Sequence, residues 1–129
     1  MAYLLDIRKR GTVSEVLLER RPADAKLMQG MYELPPLPLE AIEGREPVLR
    51  VRHAITNTNY YVQVFAPRRD APSKGRDSNA LRKAAQKDSG TLRWIAVTHL
   101  SGVPLTGLAR KILQRLHVME RARVALLEE

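Results

Sequence analysis

The chain has 129 residues, 44% of them hydrophobic and 28% charged, enough for one folded domain over 1–129 and too few for two comfortable ones. It contains no cysteine, which excludes disulfides, thiolate zinc sites, thiol nucleophiles and cysteine-held iron–sulfur clusters within this chain. A net charge of +8 and a pI near 10.3 favour polyanionic partners, nucleic acid first.

The apolar stretch at 2–5 is too short for a signal peptide or a spanning helix, so a cytoplasmic setting without membrane insertion is expected. With only 5% aromatic residues, the core must rest on Leu, Val, Ile and Ala. Residues 3–9 and 13–20 read as two strands of a hairpin, turned at Arg10-Gly11. A connection over 21–31 follows, with a short turn at 24–27. Tyr32, Glu33 and Leu34 form a brief extended segment that Pro35-Pro36 ends.

In 48–55, Leu49, Val51 and His53 alternate with Arg50 and Arg52, the period of a strand with one buried face. Residues 60–66 read as its partner across a polar turn, Thr56-Asn57-Thr58-Asn59. A basic loop or insertion occupies 67–90. Its first part is loop-like, and Ser78 is placed to cap a short helix over 79–87. Residues 91–97 form a strand centred on Trp94. A helix is expected over 104–119, with Pro104 at its first position. Leu105, Leu108, Ala109, Ile112, Leu113, Leu116 and Met119 make its apolar stripe. The tail to Glu129 continues it with a fading stripe.

Several of these segments resemble a known family. They are LLERRP at 17–22, GMYELP at 30–35, RHAITN at 52–57, the tryptophan strand LRWIAV and the helix after LSGVPLTGLARKIL. In this order they resemble the Nudix fold, and within it the C-terminal domain of A/G-specific adenine DNA glycosylases (the MutY family). The resemblance covers nearly the whole chain. It implies an α+β (α/β) sandwich, a mixed sheet packed by a C-terminal helix, with a degenerate and shortened Nudix helix.

That helix carries the chemistry of a Nudix hydrolase. Several Glu on one face hold divalent metal against a diphosphate, and this needs an uninterrupted helix. Here the candidates are Glu40, Glu43 and Glu46, with Arg45-Glu46 as an echo of the motif. Gly44 costs a helix roughly 1 kcal/mol relative to Ala, and Pro47 blocks continuation before the next strand begins. No metal site, no catalytic residue and no pyrophosphohydrolase activity are expected. A free-standing hydrolase of oxidised nucleotides and a general nucleic-acid or protein-binding module are the competing readings.

The resemblance further implies a domain that reads 8-oxoguanine opposite adenine in base-excision repair. 8-Oxoguanine gains an acceptor at position 8, and its N7 becomes a donor. A reader needs an acceptor for N7–H with a donor nearby, which hydroxyl and carboxamide groups supply. Family members present an apolar residue, a hydroxyl residue and commonly a His after a strand-ending His. Carried over, His53 matches the preceding His, Ile55 stands for the usual aromatic, Thr56 for the hydroxyl residue and Asn57 for the second His. Asn59 adds a further carboxamide. Thr56 is the first candidate. Ile55 lacks a stacking ring, and Asn57 replaces one hydrogen bond of a His but not a cationic one.

Arg68 and Arg69, after the second strand of this hairpin, are candidates for DNA phosphates, with Lys74 and Arg76 beside them. Arg52, Arg50 and Arg20-Arg21 add to the same field. His99 and His117 look ordinary. No cofactor is expected in this chain. The family's catalytic domain is helical and usually carries a four-iron cluster on cysteines. The implied partners are therefore duplex DNA containing 8-oxoguanine opposite adenine and the N-terminal catalytic domain of the same longer protein, of which this chain is expected to be a piece.

Overall fold

The computed structural model describes residues 1–21, 30–68, 74–88 and 91–119, with the backbone alone at 74–76 and 87–88. Strands β1 (Ala2–Leu4), β2 (Ile7–Arg10), β3 (Val13–Arg20) and β4 (Tyr32–Glu33) precede helix α1 (Leu39–Ile42). Then come β5 (Leu49–Ile55), β6 (Thr58–Phe65), α2 (Lys74–Asp88), β7 (Thr91–Ala96), a 3-10 segment (Val97–Gly102) and α3 (Gly107–Arg115).

Two sheets form. In the first, β6 lies between β1, which runs parallel to it, and β5, which runs antiparallel. In the second, β3 is central. Val16 pairs with Ile7 of β2 on one edge and Ile95 of β7 on the other, and Glu19 pairs likewise with Glu33 of β4 and Leu92 of β7. β2 and β4 thus share one edge of β3.

The period of two along the strands builds two apolar clusters. Tyr3, Val16, Leu18, Val62 and Val64 face one, which α3 closes with Leu108, Ala109, Ile112 and Leu113. Leu4, Leu17 and Phe65 face the other, which α2 closes with Leu81 and Ala85. β3 is buried on both faces, which explains its continuous Val16-Leu17-Leu18 run. The result is the expected α+β sandwich with its C-terminal helix. Among the described residues no helix is long and apolar enough to cross a membrane.

Four expectations are corrected. Residues 3–9 are not one strand. The chain leaves the first sheet after Leu4 and enters the second at Ile7. Leu5 N–H donates to Phe65 O at 2.8 Å, Asp6 O accepts from Leu17 N–H at 3.0 Å, and the buried Asp6 carboxylate accepts from Arg82 Nε. The expected β2–β3 hairpin is present, with Gly11 at φ +67°.

Helix α2 begins four residues before Ser78, which lies inside it and caps nothing. Its start is tied down by tertiary contacts. Asp77 is gripped by both terminal nitrogens of Arg45, and its carboxylate also accepts from Arg68 N–H at 2.6 Å.

Helix α3 is shorter than the apolar stripe. Residues 104–106 stay extended because Pro104 O accepts from Tyr32 N–H at 2.8 Å and Thr106 N–H donates back to Tyr32 O at 3.0 Å. Thr106, not Pro104, starts the helix, its hydroxyl accepting from Ala109 N–H at 3.0 Å. Beyond Leu116 the chain reverses at His117 (φ 60°), and Val118 and Met119 donate back to Leu113 O.

The turn between β5 and β6 contains Thr56 and Asn57 alone, because Thr58 and Asn59 already pair with Ile55 and Ala54. The proposed turn at 24–27 and the tail after 119 lie outside the described residues.

Candidate functional site

The β5–β6 hairpin projects its tip into solvent. Ile55 and Thr58 close a two-residue turn, a geometry that needs a positive φ at its first central residue. That residue is Thr56, at φ 55°. A β-branched side chain is a genuine outlier there, at a cost of about 1–3 kcal/mol that glycine would avoid. Thr and Asn commonly populate turns by bonding nearby backbone. Here Thr56, Asn57 and Asn59 are exposed, and their side chains make no hydrogen bond among the described residues. A hydroxyl and a carboxamide therefore stand side by side at the tip, both able to donate and accept outward.

The pleat of β5 divides its side chains. His53, opposite Tyr60, and Ile55 turn into a pocket of about 230 Å³ between the first sheet and the start of α3. Glu33 lines the same pocket, although its residue is only 6% exposed. Its carboxylate accepts from Thr106 Oγ1 at 2.8 Å and from Leu34 N–H at 3.1 Å. Burial pushes the Glu33 carboxyl above its ordinary range, outweighing both hydrogen bonds. Burial also raises the Tyr3 phenol to about 12, and the neighbouring Glu33 charge adds to this. The pocket thus sets an acidic acceptor beside a phenol held protonated, directly below the tip.

This pocket was not foreseen. Glu33 reads as one polar residue in a short apolar segment, and Thr106 as part of a helix. The signals that could have found them are a Glu in a segment too short to bury it without a partner, and a Thr one residue before a Gly-initiated helix.

Arg52 and Arg50 lie on the opposite face of β5 and are exposed. The Arg52 carbonyl accepts from Lys111 Nζ at 2.7 Å. Arg68 is exposed just beyond β6, while Arg69 lies outside the described residues. Arg68 follows β6, its N–H on Asp77, and Arg52 stands on the face of β5 turned away from the pocket.

Helix α1 is a single turn. Gly44, at φ +72°, takes the chain away from it, and Arg45 N–H closes the turn on Ile42 O at 3.1 Å. Glu40, Glu43 and Glu46 are all exposed, and only Glu40 lies within α1. Among the described residues no three acidic or His side chains converge as a cation would require. The donor set does not fit a divalent cation bound as in a Nudix hydrolase. Arg45, the echo of the motif, instead binds Ala41 O and Asp77.

No protein-family model and no curated protein sequence matches the chain. Solved structures do. Shewanella oneidensis NrtR, complexed with a 27mer DNA, aligns with 88% of this chain at 11% identity and a TM-score of 0.56. The alignment spans 57% of the NrtR chain. RenU, a Nudix hydrolase from M. smegmatis, aligns at 18% identity and a TM-score of 0.49, over 90% of this chain and 82% of its own. The architecture is Nudix-like.

Proposed function

We propose that this Nudix-like domain reads DNA damage and cuts nothing: it is the recognition domain of an A/G-specific adenine glycosylase, sensing 8-oxoguanine opposite adenine. The observation that carries this reading is the free Thr56 hydroxyl, held at an exposed tip in a backbone conformation that disfavours threonine. Thr56 Oγ1 accepts from N7–H, the atom whose role oxidation reverses, and the Asn57 amide donates to the new oxygen at position 8. The match of RHAITN to the family's reading loop supports the same assignment, as does the +8 charge.

In this reading Arg68 and Arg69, which follow β6 in sequence at its end away from the tip, meet phosphates removed from the lesion and add affinity without sequence preference. Arg52, on the far face, takes no part. His53 and Ile55 brace the tip from the pocket side. Adenine excision belongs to a catalytic domain with its iron cluster, in the protein of which this chain is a part. NrtR, 57% of whose chain aligns with this one, was solved with a 27mer DNA, and a duplex is accordingly the ligand to test first.

The test is competition between matched duplexes carrying 8-oxoguanine or guanine opposite adenine, followed by fluorescence anisotropy. Wild type favours the lesion, and Thr56→Ala narrows the gap by about 1–3 kcal/mol, the value of one good base-reading contact. An unchanged gap in the variant removes Thr56 from the reading. Magnesium-dependent release of a nucleoside monophosphate from the purified chain, abolished by Glu43→Gln, would establish the hydrolase instead.

A further inference from the structure

The face of the hairpin turned away from His53 and Ile55 opens a groove of about 370 Å³ against α1. Register sets Arg50 beside Gln63 and Arg52 beside Tyr61 on this face, while Val51 and Val62 point into the core. Leu39 and Ile42 of α1 line the groove with them. Helix α1 buries none of its residues. Leu39 is 74% exposed and Tyr61 69%.

Single exposed apolar residues are ordinary, but these two line one groove, on a ledge that is anchored. One isolated helical turn is unstable in water. Here Arg45 holds it, binding Ala41 O at 3.1 Å and clamping Asp77 of α2. Arg50 and Arg52 make no ion pair among the described residues, and no carboxylate lines the groove. Tyr and Arg around an apolar centre are the anchors of protein interfaces, whereas nucleic-acid interfaces are more polar.

We infer that this groove docks an acidic, amphipathic polypeptide segment. A large apolar side chain of the partner sits between Leu39 and Tyr61, and its carboxylates meet Arg50 and Arg52. The inference does not depend on lesion reading. Because β5 sends these arginines and His53 to opposite faces, the partner and a duplex at the tip bind together.

The probe is a fluorescein-labelled acidic peptide with Leu and Phe at helical spacing. A copy with Ser at both positions and a single-stranded oligonucleotide serve as competitors. Anisotropy is expected to show saturable binding of the probe, at least about tenfold weaker in Leu39→Ser and in the Arg50→Glu/Arg52→Glu double variant. Arg115→Glu, an exposed charge change elsewhere, leaves it unaltered. Backbone amide spectra confirm that each variant is folded and locate the shifts at α1, β5 and β6. Absence of saturation, equal binding by the groove variants, or stronger competition by the oligonucleotide than by unlabelled probe would overturn the inference. A failure of lesion preference at Thr56 would leave it standing.

Discussion

A threonine at the first position of a two-residue hairpin turn costs stability where glycine or asparagine would not. Thr56→Gly therefore separates folding from reading. The variant gains about 1 kcal/mol in thermal unfolding and loses the preference for an oxidised duplex. A variant that gains stability and keeps the preference would leave the strained threonine without a purpose. Two carboxyl groups, the buried Glu33 and the partly buried Asp77, make opposite statements about pH. The Glu33 carboxyl titrates above its ordinary value, so the native state holds its proton more tightly than the unfolded chain. Stability falls as pH rises from the ordinary carboxylate range through the folded value, and Glu33→Gln flattens that limb. Asp77 is depressed, first by its hydrogen bond from Arg45. Its contribution is full above the ordinary carboxylate value and disappears as pH falls through the folded one. Asp77→Asn should cost about 1–3 kcal/mol in urea unfolding near neutral pH and erase this acid limb.

Among the elements, α3 shows what periodicity can and cannot convey. Its buried stripe of Leu108, Ala109, Ile112 and Leu113 was legible because a 3.6-residue repeat records a face. Its start was not, because Leu105 continues the repeat while its neighbours bond to Tyr32 across the fold. Thr106 serves both as cap and as donor to Glu33, so Thr106→Ala should destabilise by at least about 1 kcal/mol, and Thr106→Ser should restore most of it. Equal urea midpoints for the three proteins would deny that dual role. The break at Leu5-Asp6 was equally hidden. Residues 3–9 look like one strand until Arg82, far along the chain, binds Asp6. The β5–β6 hairpin was legible in its two strands, since their alternation is local, but not in its turn, because Thr58 and Asn59 already belong to the ladder. The pocket below it was not, since Tyr3, Glu33, His53 and Thr106 come from four separate segments.

At the scale of the molecule, the sandwich has a Nudix-like architecture in which α1 is a single turn, while the β5–β6 hairpin extends into solvent on a basic body. The net charge predicts salt-sensitive DNA binding. Replacing Arg68 and Arg69 with Gln should lower the slope of log affinity against log salt by about 2. In the proposed function the hairpin tip touches the atoms by which an oxidised guanine differs from a normal one. The most direct test of this contact compares amide spectra of the chain bound to two duplexes differing only in 8-oxoguanine or guanine opposite adenine. The two complexes are expected to differ at Thr56 and Asn57 and their immediate neighbours. Superimposable spectra for the two duplexes, or differences centred on α1, would contradict it.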